Sequence, residues 1–342
     1  MNPKKASSKM NHPGRHSMKR RSLRNDYRGK RIYMITMTKH PEAPWFGNLT
    51  GNPHIAPGQP GAPGIELLPF GKKIDMAILK IWAIDSSIET ISRIVIPDHI
   101  HFIVFVKEPI ERHVGKIFGI FKHNITKAMW ELFPELGEKR ISCFEENYND
   151  RILLKRGQLE TMKKYIADNP RRLAIKRLYP DFFRRLISVM IGERIFNCYG
   201  NPFLLQCPDK MAIKVRSRWS DQEFEEHRRR WMSYCERGAI AISPFISARE
   251  KRIRDEVIDM GGSLIVIRKE NFPARFKPSG REFELCSEGR LLLICDPAAL
   301  DHDRSLFREE ALRMNGFAEM ISAMAAERIV FNLAREYLSE DF

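Results

Sequence analysis

The sequence predicts two domains, an α+β first half and a smaller α/β second half. Three observations lead there. The 342 residues suggest two domains at about 100–200 residues each. Between Thr90 and Phe133, two β-branched runs split by Pro97-Asp98 are followed by a long helical pattern. Beyond Phe183, short apolar runs alternate with amphipathic stretches, the pattern of buried parallel strands joined by helices.

In chain order, residues 1–31 carry eleven Lys and Arg against one acid, Asp26, with no hydrophobic period. This segment reads as a basic flexible arm, either a solvated tail or a segment that tracks phosphates. Ile32 to Met37 reads as a strand. Residues 41–64 are dense in Pro and Gly, which predicts a long loop. A short helix is expected over Met76 to Trp82. Strands follow over Thr90–Ile96 and Ile100–Val106. A helix from Pro109 to Phe133 then sets Val114, Ile117, Phe118, Phe121, Ile125 and Met129 on one side. Arg112, Lys116, Lys122, His123 and Lys127 make its other side basic. Gln158 to Asn169 is a second helix, expected to end before Pro170. A domain boundary near 183 gives 32–182 and 183–342. In the latter, Ile187–Ile191, Phe203–Gln206, Ala239–Ile242, Leu264–Ile267 and Leu291–Ile294 are the expected strands. Residues 220–236 and 247–260 are helical, and an amphipathic helix from Phe317 to Tyr337 closes the chain.

Composition narrows the function. Lys and Arg number 58 against 43 Asp and Glu, a net charge of +15, which favours a polyanionic partner. No apolar run approaches the ~20 residues of a membrane helix, and the basic N-terminus lacks the apolar stretch of a secretory signal. Six scattered cysteines without a C-x-x-C pair exclude a zinc ribbon and argue against a disulfide scaffold. A reduced, cytoplasmic location is the default.

Two groups of residues could do chemistry. His99 and His101 stand at i and i+2 on a predicted strand, so both imidazoles leave one face. They are either half of a divalent-metal site or polar residues of a half-solvated strand. Tyr165 and Asn169 stand at i and i+4 on a helix, flanked by Lys163, Lys164, Arg171 and Arg172. A phenol has a pKa of ~10 and needs a nearby cation or metal to act as a nucleophile. The other reading is a packing tyrosine and an Asn that ends the helix.

In order along the chain stand Tyr33-Met34-Ile35-Thr36-Met37, Trp45-Phe46-Gly47, Leu67-Leu68-Pro69-Phe70-Gly71-Lys72 and Ile96-Pro97-Asp98-His99-Ile100-His101. Ile120-Phe121-Lys122 and Tyr165-Ile166-Ala167-Asp168-Asn169-Pro170 follow. With these motifs, residues 31–182 resemble the IS200-like single-tyrosine transposases, in particular the REP-associated tyrosine transposases of bacteria. The resemblance implies a ferredoxin-like HUH nuclease fold, an antiparallel sheet with flanking helices. It implies that His99, His101 and Asn169 bind Mg²⁺ or Mn²⁺ and that Tyr165 attacks a single-stranded DNA phosphate, leaving a 5′-phosphotyrosine. Lys122, His123, Lys163, Arg171 and Arg172 are the expected contacts to a single strand or hairpin, and Trp45 and Phe46 are expected to stack on unpaired bases. Tyr148-Asn149-Asp150-Arg151 departs from the family by placing Arg where His is common. The implied setting is the bacterial cytoplasm at the nucleoid; the oligomeric state, a homodimer included, is left open.

In the second half, Gly238 to Glu250 reads as strand, loop and helix start, with Ser247 and Glu250 at capping-box spacing. Ser243 and Ser247 are the candidate cofactor-binding residues, because phosphates bind at such strand-to-helix turns. The arrangement is similar to Rossmann-like domains of the DprA/lysine-decarboxylase-like type, although no G-x-G-x-x-G is present; an inert α/β domain fits the pattern equally. The first reading is therefore a DNA strand transferase. Its rivals are an idle hairpin-binding or regulatory protein, and a C-terminal nucleotide sensor controlling the first domain.

Overall fold

The computed structural model describes residues 26–273, 276–297 and 307–331. The basic arm up to residue 25 lies outside them, as does the end of the expected closing helix beyond residue 331. The chain divides into two units, Met1–Ala174 and Ile175–Phe342.

The first unit is built on β1 (Arg31–Thr38), β2 (Gly47–Thr50), β3 (Gly64–Leu67), α1 (Pro69–Leu79), β4 (Ile88–Val95) and β5 (His99–Val106). It continues with α2 (Val114–Leu132), α3 (Pro134–Glu138), β6 (Asn149–Ile152) and α4 (Gln158–Leu178). Four strands form one antiparallel sheet in the order β4-β5-β1-β6. Alternation decides its two faces. Tyr33, Ile35 and Met37 of β1, with Ile100, Phe102, Val104 and Val106 of β5, bury against α1 and α2. The other face offers Met34 and Ile103, which pack with Ile166 of α4. His99, His101 and Thr36 share that second face by the same alternation.

Several expectations need correction. The first helix spans Pro69–Leu79, because Pro69 is favoured in a first helical turn; Ile81–Ala83 forms a separate 3₁₀ turn. The helix expected from Pro109 begins at Val114, where His113 accepts a hydrogen bond from Gly115 N and caps it. The expected loop over 41–64 contains β2 and reaches the first residue of β3, which pair antiparallel, so only residues 51–63 connect them. Most consequential, α4 runs straight through Pro170 to Leu178. Proline removes one backbone donor, and the burial of Ile166, Leu173, Ala174 and Ile175 outweighs that loss.

Gly71 ties the α1 start to the loop before β2. A Cβ there would stand 1.8 Å from the Phe46 carbonyl oxygen, which already accepts from Leu68 N at 3.0 Å. Gly71→Ala is expected to cost about 2–4 kcal/mol, read as a lowered urea midpoint with an unchanged slope.

The second unit contains β7 (Arg184–Ile191), β8 (Arg194–Gly200), β9 (Lys210–Ala212), α5 (Asp221–Glu236), β10 (Ile240–Ser243) and α6 (Ala248–Asp259). It ends with β11 (Leu264–Arg268), α7 (Arg281–Ser287), β12 (Leu291–Cys295), α8 (Phe307–Ser322) and β13 (Ile329–Val330). Its seven strands run β13-β7-β8-β12-β11-β10-β9. Strands β9 to β12 are parallel, while β8, β7 and β13 add antiparallel. The sheet is therefore mixed, not wholly parallel: a tight turn between β7 and β8 can join only antiparallel strands. Ile240, Ile242, Ile265, Ile267, Leu292 and Ile294 face Met314, Phe317 and Ile321 of α8. Ala241, Leu264, Leu291 and Leu293 face α5, α6 and α7 on the other side.

Two further expectations change in this unit. Phe203–Gln206 lies in a 3₁₀ turn over Pro202–Gln206, capped by the Asn201 side chain. The closing helix starts at Phe307 and stops at Ser322, because Ile329 and Val330 pair with Ile191 and Met190. None of the six cysteines forms a disulfide, and no described helix is long and apolar enough to cross a membrane.

Candidate functional site

Strand β5 leaves the Pro97-Asp98 turn with His99 as its first residue. That turn is clamped from two sides: Phe46 N donates to Pro97 O (2.9 Å) and Lys39 N donates to Asp98 O (2.8 Å). Its position is thereby fixed before any ligand arrives.

The two imidazoles point at each other, Nε2 to Nε2 at 3.0 Å. The far nitrogen of each ring has its own partner. His99 Nδ1 lies 2.8 Å from Asp98 Oδ1, and His101 Nδ1 lies 2.7 Å from Thr36 Oγ1. A buried carboxylate accepts only, so Asp98 (6% exposed) fixes the proton of His99 on Nδ1 and leaves its Nε2 lone pair free. Thr36 is the register partner of His101 across β1 and β5. Its hydroxyl both donates and accepts, so it tolerates either His101 tautomer. With His101 Nε2 protonated, the pair is hydrogen-bonded; with the proton on Nδ1, both Nε2 atoms are ligands. Carboxylate–histidine pairs of this type orient metal ligands.

Tyr165 reaches the pair from α4. Its ring packs edge-on against His101, centroids 5.6 Å apart, and the Arg172 guanidinium lies 5.3 Å from the ring centre. Tyr165 and Arg172 are seven residues apart, two turns of a continuous helix, and share a face only because α4 passes Pro170. Burial pushes the Tyr165 phenol above its ordinary pKa; Arg172 and Arg151 oppose that rise, and Asp168 adds to it. Asn169, 6% exposed, donates from Nδ2 to the Tyr165 carbonyl at 2.9 Å, which leaves its amide oxygen for another partner.

His99, His101, Tyr165 and Arg172 thus form one chain of contacts, and Asn169 joins it through the Tyr165 carbonyl. The remaining predicted residues lie elsewhere. Lys122 is on α2, whose core face packs on the other side of the sheet; its ammonium donates to the carbonyls of Glu145 and Glu146. Burial lowers its pKa. His123, also on α2, is exposed beside Arg112, Lys116 and Ile120 in an open groove. Arg171 is held by both oxygens of Asp168 (2.6 and 3.0 Å), and Lys163 pairs with Glu160 (3.1 Å). Phe46 is fully buried in the first core, whereas Trp45 is half exposed with Lys39 Nζ 4.9 Å from its ring centre. Sequence reasoning missed Asp98 and Thr36 as partners of the histidines. The Pro-Asp before His99 was the available signal for the first; the second depends on strand register.

In the second unit, Ser243 is fully buried and its Oγ accepts from Phe245 N at 3.1 Å. Ser247 Oγ accepts from Glu250 N (3.2 Å), and the Glu250 carboxylate accepts from Ile246 N and Ser247 N (2.9 and 2.8 Å). The α6 capping box therefore already occupies the donors that a phosphate at this turn needs.

Among the described residues, no group of three or more His, Cys, Asp or Glu is placed to hold a metal; any ion at His99 and His101 takes its other ligands from amides, water or substrate. No protein-family model matches the chain, and no curated protein matches it. Several solved structures are similar over part of it, among them two transposases. One is a REP-associated tyrosine transposase bound to a REP hairpin, 16% identical at a TM-score of 0.30, covering 44% of this chain and 72% of that one. The other is a "putative transposase" from Deinococcus radiodurans R1, 13% identical at a TM-score of 0.24, covering 41% and 90%.

Proposed function

We propose that the chain is a metal-dependent, transposase-like endonuclease and strand transferase for single-stranded DNA, with Tyr165 as its nucleophile. The observation that carries this reading is the histidine pair with the Tyr165 ring packed against it. Two nitrogens, each about 2.1 Å from one ion at a right angle, stand about 3.0 Å apart, the His99–His101 spacing. Those residues fit a hexacoordinate Mg²⁺ or Mn²⁺, with Asn169 Oδ1 as a further ligand. When bound, the ion supplies positive charge to a phosphate oxygen.

The chain's own residues supply the rest. The Tyr165 oxygen forms a bond to phosphorus as the bond from phosphorus to the 3′ oxygen breaks. The phenolic proton is lost, the leaving 3′ oxygen gains one, and the 5′ side stays joined to Tyr165. Attack by a 3′-OH on that link reverses the exchange, so one phosphodiester replaces another and no energy source is consumed. Arg172, close to the ring, stabilises the phenolate and approaches the same negative charge. The exposed Arg112 just before α2, with Lys116 and Lys127 on α2, would hold DNA backbone away from the reacting bond, adding salt dependence without sequence reading, and His123 lies beside them.

The test is incubation of the full chain with Mn²⁺ and labelled single-stranded hairpins from the DNA flanking its gene. Label fixed to protein on a denaturing gel is the expected result; binding without an adduct in either Mg²⁺ or Mn²⁺ would instead establish an idle nuclease. The adduct rate is expected to climb from pH 7 to about pH 9, because a phenol of raised pKa gains phenolate with every step toward it. Arg172→Gln removes the main opposing charge, so its rate should fall several-fold at each pH, with its profile displaced to higher pH. An unchanged profile would remove Arg172 from the site's electrostatics.

A further inference from the structure

The second unit carries an aromatic surface that the Tyr165 site does not use. Trp219, just before α5, lies flat on His227, with centroids 4.1 Å apart and planes inclined by 9°. Trp231 adjoins both, 6.1 Å from Trp219 and 5.6 Å from His227. His227, Trp231 and Tyr234 stand at i, i+4 and i+7, so they share one stripe of α5. Phe224, Met232 and Cys235 bury the core stripe of this helix, and Trp231 packs partly buried against the same core; His227 and Tyr234 lie to one side of it. Tyr234 remains 45% exposed, with the Arg237 guanidinium 4.7 Å from its ring centre.

The charge around this stripe is unbalanced. Arg216, Arg229 and Arg230 are exposed and make no side-chain hydrogen bond or ion pair among the described residues. The acids of the first α5 turns are mostly held. Asp221 pairs with Arg249 (2.5 Å), Glu225 pairs with Arg228 and Arg252 (2.7 and 2.6 Å), and Glu223 caps Ser220 N (2.7 Å). Among the described residues Glu223, Glu226 and Glu236 are the acids of α5 without a salt-bridge partner, against these three arginines and Arg237.

Partly exposed rings, with Tyr234 the most open, interleaved with exposed guanidinium groups suit a ligand of stacked rings joined by anionic links. Any base can stack on an aromatic face, and guanidinium groups contact the connecting phosphates. We propose that the α5 face, with Trp219, binds an unpaired nucleic-acid strand.

The full chain should be titrated with fluorescent, unstructured oligothymidine and oligouridine of about 15 nucleotides, followed by photo-crosslinking and peptide mapping. Crosslinks are expected within residues 219–237. Arg230→Glu and Trp231→Ala should each weaken binding about tenfold, with a shallower salt slope for Arg230→Glu; Trp231→Phe should retain most of the affinity. Tyr234→Ala, at an exposed position, guards against misfolding as the cause and should weaken binding several-fold. Preference for one oligonucleotide would tell DNA from RNA. Three results would overturn the proposal: crosslinks confined to residues 26–174 with unchanged affinity in these variants, equal binding of a duplex of the same length, or equal competition by polyglutamate. The assay does not read Tyr165 chemistry, so its outcome is independent of the activity proposed above.

Discussion

The Tyr165→Phe variant is expected to bind hairpin DNA as the unaltered chain does and to form no covalent adduct, a loss of at least about a thousandfold. The substitution removes one oxygen and keeps the ring. Contacts with His101, Arg172 and the Met34–Ile103–Ile166 cluster therefore survive, and the melting temperature should stay within about 2 °C. The raised pKa keeps the phenol uncharged at neutral pH, so the substitution removes no charge from the folded site. A residual adduct in this variant would assign the nucleophile to another residue and end the single-tyrosine reading.

The second large effect concerns the histidine pair. His99→Ala takes away one of two nitrogens 3.0 Å apart and leaves the Asp98 carboxylate without its ring partner. Adduct formation is expected to fall about 10²–10⁴-fold, with Mn²⁺ binding by calorimetry weakened in parallel. Asp98→Asn is the more discriminating change. It keeps shape and volume but can no longer hold the His99 Nδ1 proton as a carboxylate does, so Mn²⁺ affinity should fall about 10–100-fold. Equal Mn²⁺ affinity in all three proteins would show that the pair is a hydrogen-bonded element of the sheet and not a metal site. Chelation with EDTA should abolish the adduct and leave DNA binding intact, which separates metal chemistry from electrostatic attraction.

Much of this site is legible along the chain because it depends on short-range periods. A β-branched run with His at i and i+2 places both imidazoles on one face, and Ile100 and Phe102 are indeed buried on the other. The strands β1, β4 and β5 are readable for the same reason. By contrast, β6 is four residues long and mostly polar, and it becomes a strand only by pairing with β1. Arg172 was expected among the DNA contacts, but its place against the Tyr165 ring depends on helix continuation past Pro170. Local rules end the helix there; the burial of Leu173, Ala174 and Ile175 beyond the proline favours its continuation.

The sequence alone determines the alternating faces, the basic balance, the pairing of His99 with His101 on one strand and of Tyr165 with Asn169 on one helix. All of these are set by neighbours within about one or two turns. Tertiary structure decides which proton each histidine carries, through Asp98 and the β1 register of Thr36, and which face of the sheet receives α4. It also turns an expected parallel sheet into a mixed one, and occupies the α6 turn with Glu250. These depend on partners far apart in sequence or on competition between nearby donors, where burial and hydrogen-bond satisfaction outweigh local preference.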